Sequence, residues 1–200
     1  MYQADRAISE LFAAQRGHFV FESGHHGDLW LELETLCLRP HALRPFVAEF
    51  ARWVHEQRAE VICGPLVEGA FVAMMVADEL AAEFVYAERF EPPANEHDNS
   101  QLFPIQYRLP ASLRQTVRGR RVALVNDVIN AGSAVRGTAV GLVECGAELV
   151  GIACLMSLGT AAADFARQCG APLFQLSARE MNLWPPQDCP LCRAGVAIDN

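Results

Sequence analysis

The chain has 200 residues, of which 52% are hydrophobic and 20% are charged, and its formal net charge is −8 at pH 7. This length suits one domain with a proper core, and the acidic balance argues against nucleic acid as a partner. No apolar run reaches transmembrane length, so we expect no signal peptide, no membrane span and a cytosolic location. All 16 basic residues are arginines, because the chain contains no lysine.

Residues 1–56 predict two helices separated by a pair of short strands. Residues 4–15 carry apolar side chains at helical spacing and are followed by Gly17, which predicts a helix that ends there. The sequence Ser-Gly-His-His-Gly at 23–27 predicts a turn between two strands. We interpret His25 and His26 as polar turn residues, with catalytic residues or metal ligands as the alternative. Pro40 then opens a helix that runs to about residue 56.

From residue 61 onward, short strands alternate with helices. The strands are continuous apolar runs, which is typical of a parallel sheet covered by helices on both faces. The predicted strands are 61–63, 84–87, 122–125, 149–156 and 172–176, and the predicted helices are 70–82, 134–145 and 161–168. Ligands gather at the carboxyl ends of the strands in such sheets. We therefore expect one rim to contain residues 64–69, 88–89, 126–133 and 157–160.

Residues 91–108 interrupt this alternation. They include three prolines and the run Asp98-Asn99-Ser100, which predicts a long surface loop or flap with a short hairpin at 102–107. Loops of this length inside a compact domain are usually functional or disordered.

The stretch from Arg120 to Arg136 carries the clearest functional pattern. It begins with an apolar strand and passes through a turn at 130–133 into a helix. Small residues at such a turn leave backbone N–H groups free to bind an anion, and the helix dipole adds to the attraction. Asp127 precedes the turn, where its carboxylate can accept hydrogen bonds from sugar hydroxyls. The stretch therefore predicts a site for a phosphorylated sugar, with an ordinary strand-turn-helix as the alternative.

Cys189 and Cys192 near the end of the chain have the spacing of zinc ligands. One such pair supplies only two of four ligands, so Cys169 or a dimer-related pair would have to complete a site. The alternative is a plain turn with free thiols. Trp184 just before this pair is interpreted as a packing anchor for the tail.

Residues 122–134 resemble the phosphoribosyl-pyrophosphate signature of type I phosphoribosyltransferases. Within that group the chain is most similar to the orotate phosphoribosyltransferases, and the resemblance covers nearly the whole chain. Four other pieces match in the same order. They are an N-terminal hood at 17–24, a pyrophosphate loop at 64–69, Tyr86-Ala87-Glu88-Arg89 before a flap, and a Cys-Pro-Leu-Cys-Arg-Ala-Gly tail.

The resemblance implies a single α/β domain over residues 1–200, built on a parallel sheet with helices on both faces. A small hood would span about 17–36, a flexible flap about 90–108, and the tail 184–200. The implied reaction displaces pyrophosphate from phosphoribosyl pyrophosphate by a nucleobase nitrogen, with magnesium, in pyrimidine nucleotide synthesis. A homodimer with a shared site is also implied, with no nucleic acid and no membrane as partner.

The resemblance assigns roles to three groups of residues. Asp127 would hold the ribose hydroxyls beside magnesium, and Arg89 would reach the pyrophosphate, with a structural salt bridge to Glu88 or Glu91 as the alternative. The 5′-phosphate would lie on Asn130, Ala131, Gly132, Ser133 and Ala134. The pyrophosphate loop would be Gly64, Pro65, Leu66, Val67, Glu68 and Gly69.

Several departures from the family pattern affect the pyrophosphate half of the site. Asn126 replaces an acidic residue, and Glu22, Glu68 and Phe90 stand where lysines are expected. Residues 91–106 contain no lysine or arginine, and residues 157–160 lack the Asp-Arg pair expected to hold the carboxylate of orotate. A change from lysine to glutamate alters the local charge by two units, so these carboxylates would repel a pyrophosphate.

Three functions follow as hypotheses. The first is a phosphoribosyltransferase of the orotate type. The second is a catalytically degenerate relative that binds a nucleotide or ribose 5-phosphate for regulation. The third is an enzyme that uses another base, or that acts on a phosphoribosyl compound without pyrophosphate. The ligand is accordingly phosphoribosyl pyrophosphate or a nucleoside monophosphate.

Overall fold

The computed structural model describes residues 7–8, 10–90 and 105–199. Its central element is a six-stranded sheet with the order β5-β4-β3-β6-β7-β8. Strands β3, β4, β6, β7 and β8 run parallel, and β5 pairs with β4 in the antiparallel sense. The strands are β3 (Val61–Pro65), β4 (Glu83–Phe90), β5 (Gln106–Arg108), β6 (Arg121–Ile129), β7 (Glu148–Leu158) and β8 (Leu173–Arg179).

Helices cover both faces of this sheet. The described helices are α1 (Pro40–Glu56), α2 (Glu68–Leu80), α3 (Arg114–Val117), α4 (Ser133–Glu144), α5 (Ala161–Cys169) and α6 (Pro190–Arg193). Alternate residues of β6 belong to two separate apolar cores. Ala123 and Val125 pack with α1 and α2, whereas Val122 and Leu124 pack with α4 and α5. The predicted α/β class, with a parallel sheet between helical layers, is confirmed.

A second, three-stranded sheet forms the hood. Its order is β1-β2-β9, with β1 (Ala13–Val20), β2 (His26–Glu32) and β9 (Leu183–Trp184). In β2, Leu29 and Leu31 are buried while Trp30 and Glu32 are half-exposed, as the alternation in the sequence indicates. The tail therefore takes part in the hood, because β9 pairs with the first two residues of β2.

Most predicted elements are present with bounds shifted by no more than four residues, but the first helix is wrong in its second half. Ala7 and Ile8 are helical, whereas Ala13 already begins β1. Residues 1–6 and Ser9 lie outside the described part. In the strand the side chains at 13–16 are exposed, and their contacts with β2 are polar, since Gln15 donates to Glu32 and Arg16 pairs with Asp28. The sequence there therefore carries no apolar alternation.

The flap is described only at its two ends. Residues 91–104, which include His97 and the start of the expected hairpin at 102–107, lie outside the described part. On either side, β4 and β5 pair through Glu88 and Arg108, Arg89 and Tyr107, and Phe90 and Gln106. No helix of the described residues has the length and apolar character needed to cross a membrane.

Candidate phosphoribosyl site

A cleft of about 600 Å³ opens at the carboxyl ends of β3, β4 and β6. Three sequence-predicted segments line it together: 65–69, 88–89 and 126–134. Gly64 lies just beneath, where a Cβ atom would come 2.7 Å from the Ala73 Cβ atom. The hood contributes Phe21 and Glu22 to the same cleft.

The predicted phosphate loop, residues 130–134, connects β6 to the first turn of α4. Gly132 has φ +87°, in the left-handed region that favours glycine, and it precedes the first residue of the 12-residue helix α4. This turn aims the amino end of α4 at the cleft, where the helix dipole favours an anion. The Oδ1 atom of Asn130 is buried and accepts no hydrogen bond from the described residues. The loop therefore combines the positive end of a helix dipole with the Asn130 amide oxygen, which has no hydrogen-bond donor among the described residues.

Asp127 lies in the same cleft and is 4% exposed. Burial raises the pKa of its carboxyl to about 7, backbone hydrogen bonding lowers it in part, and the charge of Glu68 raises it further. The protonated form of this carboxyl is thus favoured far more than in a solvent-exposed aspartate. Hydroxyl donors from a ribose would favour its ionised form.

Asn126 is also buried, but its neutral side chain adds no charge to the cleft and instead contacts the neighbouring backbone. Its Nδ2 atom donates to the Val128 carbonyl oxygen at 2.8 Å. Its Oδ1 atom lies so close to the Gly69 backbone that a Cβ atom at 69 would collide with it. A carboxylate at 126 would have no proton to donate to Val128, so the amide is matched to its local contacts.

The hood and the base of the flap meet through Glu22. The Tyr107 hydroxyl donates to Glu22 Oε1 at 3.1 Å, and Arg89 Nε lies 3.7 Å from Glu22 Oε2. Burial raises the pKa of Tyr107, and the Glu22 charge raises it further, so the phenol remains a donor. The partner of Arg89 in this salt bridge is Glu22, not the expected Glu88, which instead pairs with Arg108 at 3.5 Å. Glu91 lies outside the described residues.

A second cavity of about 780 Å³ adjoins the cleft, and Ala131 lines both. It collects Leu158, Gly159 and Thr160, which the sequence places at the same rim, together with His25. Burial lowers the pKa of His25, and the neighbouring charge of Arg136 lowers it further. Residues 158–160 thus lie beside the predicted phosphate loop in a separate cavity.

Trp184 and Asp28 have defined places in the hood. Trp184 lies in β9 opposite His26 and lines the second cavity. Asp28 accepts hydrogen bonds from the backbone and side chain of Asn182 at 3.0 and 2.8 Å and pairs with Arg16 at 3.2 Å. Asp28 therefore fastens the segment before β9 to the hood.

His18 and His26 form a cluster with Cys189 and Cys192. The sequence pointed to the two cysteines as a possible zinc pair and to His26 as an alternative metal ligand, but it did not bring them together and did not single out His18 as a ligand. Cys169, one of the two sources that the sequence offered for the missing ligands, lies outside this cluster. It ends α5, and its thiol donates to the Phe165 carbonyl oxygen at 3.2 Å. The two histidines lie more than 160 residues from the cysteines in the chain. The sequence signal was limited to two histidines beside the hood turn and one Cys-x-x-Cys pair.

Comparisons with known proteins agree with this architecture. A family model described as "Phosphoribosyl transferase domain" matches residues 41–186. A curated protein named orotate phosphoribosyltransferase from Caldanaerobacter subterraneus is 24% identical over 191 residues, which cover 96% of this chain and 91% of the relative. Another of that name, from Thermotoga maritima, is 27% identical over 187 residues, covering 94% of this chain and 90% of the relative.

Solved structures show the same fold at lower identity. Orotate phosphoribosyltransferase from Aeropyrum pernix superposes with a TM-score of 0.63 at 18% identity, covering 88% of this chain and 93% of that one. Adenine phosphoribosyl transferase from Trypanosoma brucei, solved with AMP, pyrophosphate and ribose-5-phosphate, gives 0.66 at 19% identity, covering 88% and 79%. The fold is thus shared by proteins that act on different bases.

Proposed function

Since the chain belongs to the phosphoribosyl transferase domain family, we propose that its cleft binds a 5′-phosphoribosyl compound, either a nucleoside monophosphate or ribose 5-phosphate. The 5′-phosphate lies on the loop of Asn130, Ala131, Gly132, Ser133 and Ala134, and the ribose hydroxyls donate to Asp127. The amino end of α4 and the left-handed turn at Gly132 support the phosphate half of this proposal.

One observation separates this ligand from phosphoribosyl pyrophosphate. Among the described residues that line the cleft, Arg89 is the only arginine, and it forms a salt bridge with Glu22. The same lining contains the carboxyl groups of Glu68, Glu88 and Asp127. A pyrophosphate in this part of the cleft would face more negative than positive charge. A second copy of the chain could not supply a lysine, because the sequence has none.

Magnesium fits the cleft only with help from the ligand. Asp127 and Glu68 offer hard oxygen atoms, and the charge of Glu68 raises the pKa of Asp127, a repulsion that a divalent cation would relieve. Asn126 uses its amide group on Val128. Magnesium commonly combines one or two carboxylates with phosphate oxygens, so Asp127 and Glu68 would hold it beside a ligand phosphate and screen that phosphate's charge.

Calorimetry distinguishes these ligands. The full chain is titrated with ribose 5-phosphate, several nucleoside monophosphates and phosphoribosyl pyrophosphate, each with and without magnesium. We expect a monophosphate or ribose 5-phosphate to bind at least as tightly as phosphoribosyl pyrophosphate. Tight, magnesium-dependent binding of phosphoribosyl pyrophosphate alone would overturn the proposal.

The second candidate function is phosphoribosyl transfer of the orotate type. It is favoured by the curated relatives named orotate phosphoribosyltransferase, which match 93–96% of this chain at 24–27% identity. It predicts that phosphoribosyl pyrophosphate, orotate and magnesium together release pyrophosphate at a rate that depends on enzyme concentration. Replacing Asp127 by alanine should abolish that release.

We also propose that the chain forms a homodimer, as the family resemblance implies. Val67, Phe71 and Met74 form an exposed apolar stripe at the start of α2, beside the cleft. Light scattering should give twice the mass of 22.0 kDa, and Phe71→Glu should reduce it to one copy. A monomer at all concentrations would contradict the dimer.

A further inference from the structure

Four side chains from opposite ends of the chain converge between the hood and the tail. His18 lies in β1 and His26 begins β2, while Cys189 and Cys192 lie at the start and inside of α6. One ligand atom from each lies within 4.8 Å of all the others. His18, His26 and Cys189 are buried and Cys192 is exposed, so this cluster of two nitrogen and two sulfur atoms lies at the edge of the interior.

We propose that these four side chains bind one zinc ion in a closed, tetrahedral structural site. The distances agree with that geometry. Zinc with bonds of about 2.3 Å to sulfur and about 2.05 Å to nitrogen places sulfur and nitrogen ligands about 3.6 Å apart. His18 Nε2 lies 3.5 Å from Cys189 Sγ and 3.6 Å from Cys192 Sγ, and His26 Nδ1 lies 3.3 Å from Cys192 Sγ.

The two imidazoles need only a small adjustment. His18 Nε2 and His26 Nδ1 lie 2.9 Å apart, and a tetrahedral zinc ion would separate them to about 3.3 Å. The set contains no carboxylate, and the mixture of imidazole and thiolate suits zinc rather than magnesium or calcium. Because the protein supplies all four ligands, no position remains for a substrate, which defines the site as structural.

The surroundings orient the ligands as in known metal sites. His18 Nδ1 lies 2.8 Å from the Val196 carbonyl oxygen. That acceptor keeps the proton on Nδ1 and leaves the Nε2 lone pair for a metal. The backbone N–H of Cys192 donates to Cys189 Sγ at 3.5 Å, which stabilises a thiolate.

The site fastens the tail to the hood beside both cavities. The turn between the two histidines carries Glu22 into the cleft and His25 into the second cavity. On the tail side, the backbone N–H of Asp199 donates to the His18 carbonyl oxygen at 2.8 Å. Metal binding at this position therefore stabilises the hood, and its loss frees the tail. This inference does not depend on the ligand proposed for the cleft.

Zinc content of the purified full chain is the direct test. We expect about one zinc ion per chain by mass spectrometry after desalting, and background levels in Cys192→Ser and His26→Asn. The matched control is Cys169→Ser, which removes an exposed cysteine outside the cluster and should retain the metal. A strong chelator should lower the melting temperature of the wild type by about 5 °C or more, and zinc should restore it.

Replacing zinc by cobalt tests the site in the wild-type chain, so this test does not depend on whether the variants fold. Wild-type protein stripped of metal and loaded with Co²⁺ should show the visible absorption of a tetrahedral site with thiolate ligands. Thiol titration should find Cys192 protected when metal is bound and reactive after chelation. Wild-type protein without zinc and without that cobalt absorption would overturn the proposal, as would isolation of the chain with a Cys189–Cys192 disulfide.

Discussion

Glu22 of the hood forms a salt bridge with Arg89 at the base of the flap, with 3.7 Å between Glu22 Oε2 and Arg89 Nε. Arg89 is about half exposed and Glu22 one-third exposed, so the pair adds little to stability. Its main effect is electrostatic, since it neutralises the arginine in the described lining of the cleft. We therefore predict that the preference of the proposed site among anions depends on a residue of the hood.

Replacing Glu22 by glutamine tests this relationship. The amide oxygen can still accept from Tyr107, but the negative charge beside Arg89 is lost. We expect pyrophosphate to bind about 3- to 10-fold more tightly at low salt, with a smaller gain at high salt. Calorimetry measures this change. The exposed Glu34→Gln removes the same charge outside the cleft lining and should leave the affinity unchanged; an equal gain there would refute the local effect.

Glu68→Lys restores the cation that the family pattern has in the pyrophosphate loop. Glu68 begins α2 and lines the cleft, so the substitution changes the local charge by two units. Affinity for phosphoribosyl pyrophosphate should rise on the order of 10-fold or more. A lysine at a helix amino end costs roughly 0.3–1 kcal/mol of stability.

The control for this prediction lies on the same helix. Glu79→Lys makes the same change of charge at an exposed position near the other end of α2. Its effect on affinity should be less than about twofold, because solvent and salt screen it at that distance. If Glu68→Lys raises the affinity for phosphoribosyl pyrophosphate no more than Glu79→Lys does, the missing positive charge does not limit pyrophosphate binding.

The sequence predicted the sheet well because its strands are buried on both faces. Residues of β6 and β7 face an apolar core whichever way they point, so each strand appears as an uninterrupted apolar run. The turn that contains Gly132 was predicted equally well, because its left-handed backbone and the helix after it depend on residues close in the sequence. The grouping of residues 65–69, 88–89 and 126–134 in one cleft was then predictable, because the carboxyl ends of parallel strands meet at one edge of the sheet.

Contacts between distant parts of the chain were not predictable. The pairing of Glu22 with Arg89 and Tyr107 joins the hood to the flap, and no local pattern specifies it. The convergence of His18 and Cys192 depends on β9 adding to the hood sheet. The strand at 13–16 was missed for the same reason, because its partner β2 determines it more than its own exposed side chains do.

Gly132→Asp should abolish phosphate binding. The substitution puts a carboxylate on the loop that is expected to hold the 5′-phosphate, and it forces a β-carbon onto a residue with φ +87°. We expect affinity for ribose 5-phosphate to fall at least about 100-fold, since repulsion replaces a favourable helix-end interaction. Isothermal titration is again the measurement.

Gly170→Asp separates the loss of binding from backbone strain. Gly170 has φ +67°, ends α5 and has open space around it, so aspartate there costs a similar roughly 1–2 kcal/mol of left-handed strain. It should lower stability while leaving phosphate affinity intact. Equal loss of affinity in both variants would show that destabilisation, not the loop, is responsible.

The pH dependence of the free energy of unfolding should reveal the ionisation of the Asp127 carboxyl group. Burial raises the pKa of this carboxyl from 3.8 to about 7 in the folded protein, so the folded state retains a proton that the unfolded state releases. The contribution of this group is therefore favourable at low pH and is lost as pH rises through the window from about 4 to about 7. We expect the loss of stability across this window to be on the order of a few kcal/mol.

Asp127→Asn removes this titration and should make the protein more stable than the wild type above pH 7. Chemical denaturation from pH 4 to pH 9 should show the advantage of the variant growing as pH rises through the window and levelling off above it. Asp78→Asn, at an exposed position on α2, controls for the loss of one surface charge. Asp127→Asn should also bind ribose 5-phosphate more weakly than the wild type, because an amide replaces the carboxylate that accepts from the ribose hydroxyls. A constant difference in unfolding free energy across the window would show that Asp127 is not held protonated in the fold.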